Sequence, residues 1–442
     1  MRVLVSLLIA CALISSEPAS AKQFDAESFT LANGLEVVVV PFHRAPAVTQ
    51  MLWYKVGAYD DPPGRSGIAH FVEHLMFRGT KETPPGEYSR LVAANGGQEN
   101  AATSLDYTVY YQTVATDRLE LVMKLEAERM HDLMITEEQV TPEREVIIEE
   151  RRTRVDNLPA ALLDEQRNAV LFLSNHYRLP AIGWLSEMRG LGAEDARRFY
   201  ATWYAPNNAV LVIAGDVEVA RVRALAETYY GPIPPHPVPA HEALVEPPKV
   251  AGTRLEMTSG RVPSPEWSRS YLAPSYNEAD GRPADALTVL AEILGGGESA
   301  RLYQGLVIDK KLAVSAGAGY DPNRGAGSFN LYAEPRDGVS IADVEAAVTR
   351  EIRRLLTEGV GAAEVDRVKQ RLQASALYSR DSLSGVARII GASMVAGRSL
   401  DEIQAWPERI GAVTPEQVMA VARQVLKDET AVTAVLSPEK RS

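Results

Sequence analysis

Apolar positions along the chain fall into two spacings. Leu35 to Val40, Gln50 to Val56 and Tyr107 to Val114 are short runs rich in β-branched and aromatic residues, the pattern of strands. Asp117 to Leu133 and Thr141 to Val155 carry the helical period instead. The second of these is predicted to open with Thr141 as N-cap and Pro142 at the first helical position. Ile68 to Phe77 also repeats apolar residues at helical spacing, just after Gly64 and Gly67. Long helices and strands in alternation predict sheets covered by helices, an α+β fold.

The pattern breaks in one place. Pro232-Ile233-Pro234-Pro235-His236-Pro237-Val238-Pro239, followed by Pro247-Pro248, is too proline-dense for a helix or a central strand. It reads as an extended linker over 232–250, dividing a first domain (22–231) from a second (251–442). The two domains read as distant copies. Leu191-Gly192-Ala193-Glu194-Asp195 leads a helical stretch and then the apolar run 209–213. Val413-Thr414-Pro415-Glu416 leads another helical stretch and then the run 431–436.

Composition narrows the picture. With 46% hydrophobic and 24% charged residues over 442 positions, the chain has a globular balance and more length than one ordinary core needs. A net charge of -12 repels phosphate backbones and argues against nucleic acid as a partner. Arg2, the apolar stretch Val3 to Ile14 and the small-residue site Ala19-Ser20-Ala21 predict a cleavable signal peptide over residues 1–21, hence a periplasmic or secreted protein. No later stretch is long enough to span a bilayer. The one cysteine, Cys11, lies inside the apolar stretch, where Leu8-Ile9-Ala10-Cys11 resembles a bacterial lipoprotein box and offers lipidation as the alternative. The mature chain then has no thiol, and any metal must be held by nitrogen and oxygen.

The sharpest chemical signal is His70-Phe71-Val72-Glu73-His74. On a helix, His70 and His74 sit one turn apart with Glu73 between them, all within an arc of roughly 100°. Two imidazoles so placed share one metal ion, and the carboxylate beside them reaches a water molecule on it. A catalytic zinc site takes three protein ligands, so the third must come from elsewhere. Glu143 and Glu150 lie seven residues apart on one face of the later helix, with the neighbouring Glu149 turned away by about 100°. His131, His236 and His241 are expected at solvated positions.

His-x-x-Glu-His followed some seventy residues later by this pair of glutamates resembles the M16 (pitrilysin/insulinase-like) inverted-zincin family. The resemblance spans nearly the whole mature chain. It implies two related α/β domains, each an antiparallel-rich sheet covered by helices, and a zinc-dependent endopeptidase acting on extended peptides. It also assigns roles. Zinc falls to His70, His74 and Glu150, with Glu149 the competing ligand. Glu73 becomes the general base and Glu143 a catalytic carboxylate that orients an imidazole. Asn95-Gly96-Gly97, Asn100-Ala101-Ala102-Thr103 and Asp106 to Tyr111 look like the family's edge strand, where a peptide substrate adds, with Asn100 and Ala101 as contacts.

The second half departs from the family pattern. Leu294-Gly295-Gly296-Gly297 to Tyr303 resembles its glycine-rich segment. Beyond it, the arginine and tyrosine that active members carry seven residues apart fall on Val307 and Val314. Neither donates a hydrogen bond. The resemblance therefore implies a heterodimer, in which an M16-like partner without zinc ligands supplies that Arg/Tyr pair; a self-sufficient homodimer is the other arrangement. A noncatalytic assembly or peptide-binding subunit is the alternative.

Overall fold

The computed structural model describes residues 24–278 and 281–439, so the expected signal peptide and Cys11 lie outside the described residues. Two sheets organise the chain. The first contains β1 (Glu27–Thr30), β2 (Glu36–Pro41), β3 (Ala47–Tyr54), β4 (Gln98–Thr103), β5 (Thr108–Ala115) and β6 (Ala209–Gly215), in the order β1-β2-β6-β3-β5-β4. The second contains β7 (Thr253–Ser259), β8 (Glu266–Ala273), β9 (Ala313–Asp321), β10 (Gly327–Pro335) and β11 (Val432–Pro438), in the order β7-β11-β8-β10-β9. Each has one parallel pair, β2 with β6 and β7 with β11, and is otherwise antiparallel. Apart from β1 the two topologies coincide, so the halves are copies. The fold is α+β, mixed within each half.

The five helices that matter for the site follow from the first half: α1 (Ile68–Leu75), α2 (Glu87–Ala94), α3 (Leu119–His131), α4 (Glu137–Arg151) and α5 (Pro159–Leu171). Leu35, Val37, Val39, Leu52 and Tyr54 face a core shared with α1 and α3. Val38, Val40, Met51, Trp53, Val210 and Val212 point to the opposite face, as the period-two alternation requires. That second face is covered by helix Leu383–Val395, which belongs to the second half. In return α5 of the first half places Leu163 against Val262, Ala434 and Leu436 of the second. Burial on both faces explains why β6 is apolar at almost every position.

Several boundaries differ from the sequence expectation. The helix expected at Thr141 starts a turn earlier, because Thr136 and Gln139 form a reciprocal capping box: Gln139 N donates to Thr136 Oγ1 at 3.3 Å and Thr136 N to Gln139 Oε1 at 3.0 Å. Pro142 therefore sits inside the helix, where it removes one backbone donor without ending it. The helix expected from Asp117 begins at Leu119, after a 3-10 turn over Thr116–Arg118.

Residues 234–250 form neither helix nor strand. His241 is not solvated as its position beside the prolines suggested. Its ring stacks on Trp203 at 5.4 Å, and its Nδ1 lies 2.7 Å from Asp60 Oδ1. Arg324, from the β9–β10 loop, lies 3.4 Å from the same Asp60 oxygen, and its amide donates to Asp106 Oδ2 at 2.8 Å. Tyr177 completes the junction by donating to Asp106 and accepting from the Gly325 amide, each at 2.7 Å.

Candidate metal centre

Helix α1 carries the two histidines, and its start is fixed from outside the helix. Gly67 adopts φ 86°, and a Cβ there would lie 2.5 Å from the Ile182 carbonyl oxygen, so only glycine fits. The carboxylate of Asp61, 2% exposed, accepts from Gly67 N at 2.6 Å and Ala69 N at 3.0 Å. It satisfies donors that the helix leaves unpaired. With the helix so set, the His70 and His74 rings lie 4.7 Å apart, and α4 packs alongside.

The glutamates of α4 separate as their spacing predicts. Glu150 Oε2 lies 3.1 Å from His74 Nε2 and 3.6 Å from His70 Nε2. One ligand atom from each of these three residues falls within 4.8 Å of the other two. Glu143, one side-chain face further back and 3% exposed, places Oε1 2.8 Å from His74 Nδ1. Glu149 points to solvent, is 57% exposed and pairs with Arg152, which removes it from competition. Two imidazole nitrogens and a carboxylate oxygen, aimed at one point, are the donor set of a zinc site with a coordination position left over. The residues present fit such an ion.

Electrostatics follow from this crowding. Burial and then the neighbouring His74 push His70 down to about 4. Burial also opposes charge on His74, but hydrogen bonds to Glu143 and Glu150 outweigh it and lift the ring to about 9. The His74 contact holds Glu150 below the usual carboxylate range. Glu73, 8% exposed, is pushed up by burial, partly offset by a hydrogen bond from Thr103 Oγ1 at 2.6 Å.

Three residues at the site were not singled out for roles by sequence. Arg78, one turn beyond His74, pairs with the other oxygen of Glu143. Arg154 reaches Glu150 Oε1 at 3.0 Å. Thr103 shares a strand face with Ala101, a period-two relation that the sequence already contained. Asn100 and Ala101 lie on β4, which among the described residues is the edge strand of its sheet, and Asn100 Oδ1 accepts from the Ala101 amide at 2.8 Å. Neither is among the three convergent donors. Under β4 and β5, Arg129 is 1% exposed, bonded to Glu126 and enclosed by the rings of Phe77, Tyr88 and Tyr110.

In the second half, Val307 is 6% exposed within the core, whereas Val314 is 49% exposed on edge strand β9. The nearby Arg301 is committed to Glu364 through bonds of 2.8 and 2.6 Å. The glycine-rich segment has a packing reason: a Cβ on Gly295 would lie 1.8 Å from the Ala318 amide nitrogen, so the helix end can approach β9 only without one.

Comparison with known proteins matches this geometry to a family. Residues 37–183 match the family model described as insulinase (peptidase family M16), and residues 190–372 match that of the peptidase M16 inactive domain. The chain is 29% identical over 419 residues to zinc protease PqqE of Helicobacter pylori, covering 93% of each chain. It is 30% identical over 406 residues to an uncharacterized zinc protease of Streptomyces coelicolor, covering 90% of this chain and 86% of that one. The crystal structure of a protease from Helicobacter pylori superposes with a TM-score of 0.86 at 28% identity, over 93% of this chain and 99% of the other. Likeness of this extent, running through both halves, makes the chain a member of the M16 peptidase family.

Proposed function

We propose that this chain is the zinc-bearing subunit of an endopeptidase that hydrolyses extended peptides or unfolded segments. The observation that carries the reading is the convergence of His70, His74 and Glu150 on one point, with the buried Glu73 beside them. Zinc bound there supplies a Lewis acid for the scissile carbonyl and lowers the pKa of a water molecule. Glu73 takes the proton from the attacking water and delivers it to the leaving amine, a double task suited by a carboxyl that burial raises above its ordinary value. Glu143 keeps His74 turned with Nε2 toward Glu150. A substrate strand adds to the free edge of β4, with Asn100 and Ala101 as its contacts.

In this reading the domain over 22–231 carries the chemistry, and the domain over 251–442 closes the cleft. The chain works outside the cytoplasm after cleavage following Ala21. A heterodimer is supported by the second half: Val307 is packed away, Val314 has no donor, and Arg301 is already paired. A zinc-free M16-like partner then brings the arginine and tyrosine.

The test is Glu73→Gln in the zinc-loaded protein, assayed with an internally quenched unfolded peptide in the presence of the partner. The variant should hold zinc and peptide as the parent does and cleave nothing. Unchanged turnover refutes the assigned base. Peptide binding without cleavage by the parent itself indicates the noncatalytic alternative. Full turnover by the isolated monomer refutes the heterodimer.

A further inference from the structure

A general base works only if its carboxylate is held at one orientation, and a glutamate has three side-chain torsions to fix. Around Glu73 the described residues offer one hydrogen-bond donor, Thr103, whose Oγ1 donates to Oε2 at 2.6 Å. The contact occupies one carboxylate oxygen and leaves Oε1 without a protein hydrogen bond among the described residues. Thr103 is itself well placed. It closes β4, pairs across the ladder with Thr108, and its hydroxyl lies 3.4 Å from Thr108 Oγ1. Thr108 is buried and anchored by donating to the Val56 carbonyl at 3.0 Å. The hydroxyl at Glu73 is therefore carried by a paired strand, and among the described residues that strand, β4, stands at the edge of its sheet.

We infer that Thr103 is a positioning residue for Glu73: its hydroxyl pins one carboxylate oxygen and aims the other at the reacting water. Because it ends the edge strand β4, it also fixes the base relative to the substrate register. This deepens the proposed function and rests on it. Thr103 is not one of the three residues whose donors converge, so its effect is separable from zinc binding.

The test compares Thr103→Val, which keeps shape and strand preference but removes the donor, with Thr103→Ser, which keeps the donor. Both are made in the zinc-loaded full chain with its partner, using the quenched peptide. Thr103→Val should bind zinc within about twofold of the parent in chelator competition and leave KM unchanged. Its kcat should fall about 10- to 100-fold, the scale of a misaligned catalytic group. Thr103→Ser should recover kcat to within about threefold. A crystal structure of Thr103→Val should show the Glu73 side chain in more than one orientation.

An unchanged kcat in Thr103→Val overturns the inference, as does an equal loss in Thr103→Ser. A parallel loss of zinc affinity or melting temperature also overturns it, by making the residue structural. If Glu73→Gln is inactive while Thr103→Val matches the parent, only this inference falls. If Glu73→Gln is active, the underlying reading falls with it.

Discussion

Replacing Glu143 with glutamine isolates the contribution of the carboxylate behind His74. The parent holds a charge-assisted contact of 2.8 Å between Glu143 Oε1 and His74 Nδ1, with Arg78 on the other oxygen. The amide of Glu143→Gln can still accept from Nδ1, so the ring keeps its orientation but loses the charge assistance. Charge-assisted bonds are worth about twice neutral ones, which puts the loss at about 1–1.5 kcal/mol. The amide nitrogen then faces the Arg78 guanidinium, donor against donor. Arg78 is 43% exposed and can turn to water, so this adds little. A loss of 1.4 kcal/mol is tenfold in an equilibrium constant, so zinc affinity should weaken by about tenfold, at the lower end of the effect of such orienting groups. Competition with a chromophoric chelator at fixed pH measures it directly. Glu150→Gln, which removes a donor itself, should cost at least a hundred times more, and Glu149→Gln should cost nothing. An unchanged Kd for Glu143→Gln, or a loss as large as that of Glu150→Gln, refutes the assignment of Glu143 as an orienting group.

Zinc must displace the proton that His74 holds up to about 9, so apparent affinity should rise about tenfold per pH unit between 6.5 and 9 and then level off; a flat pH profile in chelator competition contradicts this. Asp61→Ala removes the acceptor for two buried amides at the start of α1 and should destabilise the protein by about 1–3 kcal/mol in urea unfolding; no change would mean that other groups serve those amides. Gly391→Ala would place a Cβ 2.1–2.6 Å from the Trp53 indole, and this overpacking should cost about 1–3 kcal/mol, read as a lowered melting temperature. A parent-like transition would show that the helix moves away freely.

The sequence exposed the chemistry more fully than the boundaries. His70, Glu73 and His74 lie within five residues, so helical geometry alone sets their relation. Glu143 and Glu150 follow from the same rule once a helix is granted, and Glu149 is set aside by it. Residues acting across the fold left no comparable trace. Asp61 caps α1 through a loop, and His241 pairs with Asp60 across 181 positions. The start of α4 was misplaced because Pro142 reads as a first-turn residue, whereas the Thr136–Gln139 box holds the helix strongly enough to tolerate an interior proline. Thr103 was visible as part of a motif, but its partner on α1 depends on how the sheet packs against that helix.

The crossed helices have a consequence for how the polypeptide comes into being. The first sheet is complete at Gly215, yet the segment that shields Trp53, Met51 and Val212 ends only at Val395. A growing chain must therefore carry a bare apolar surface from the completion of Gly215 until Val395 has been made, and that surface is a hazard for aggregation. Recombination at the prolines would meet the same obstacle: the front of one lineage needs a Gly391 that admits its own Trp53.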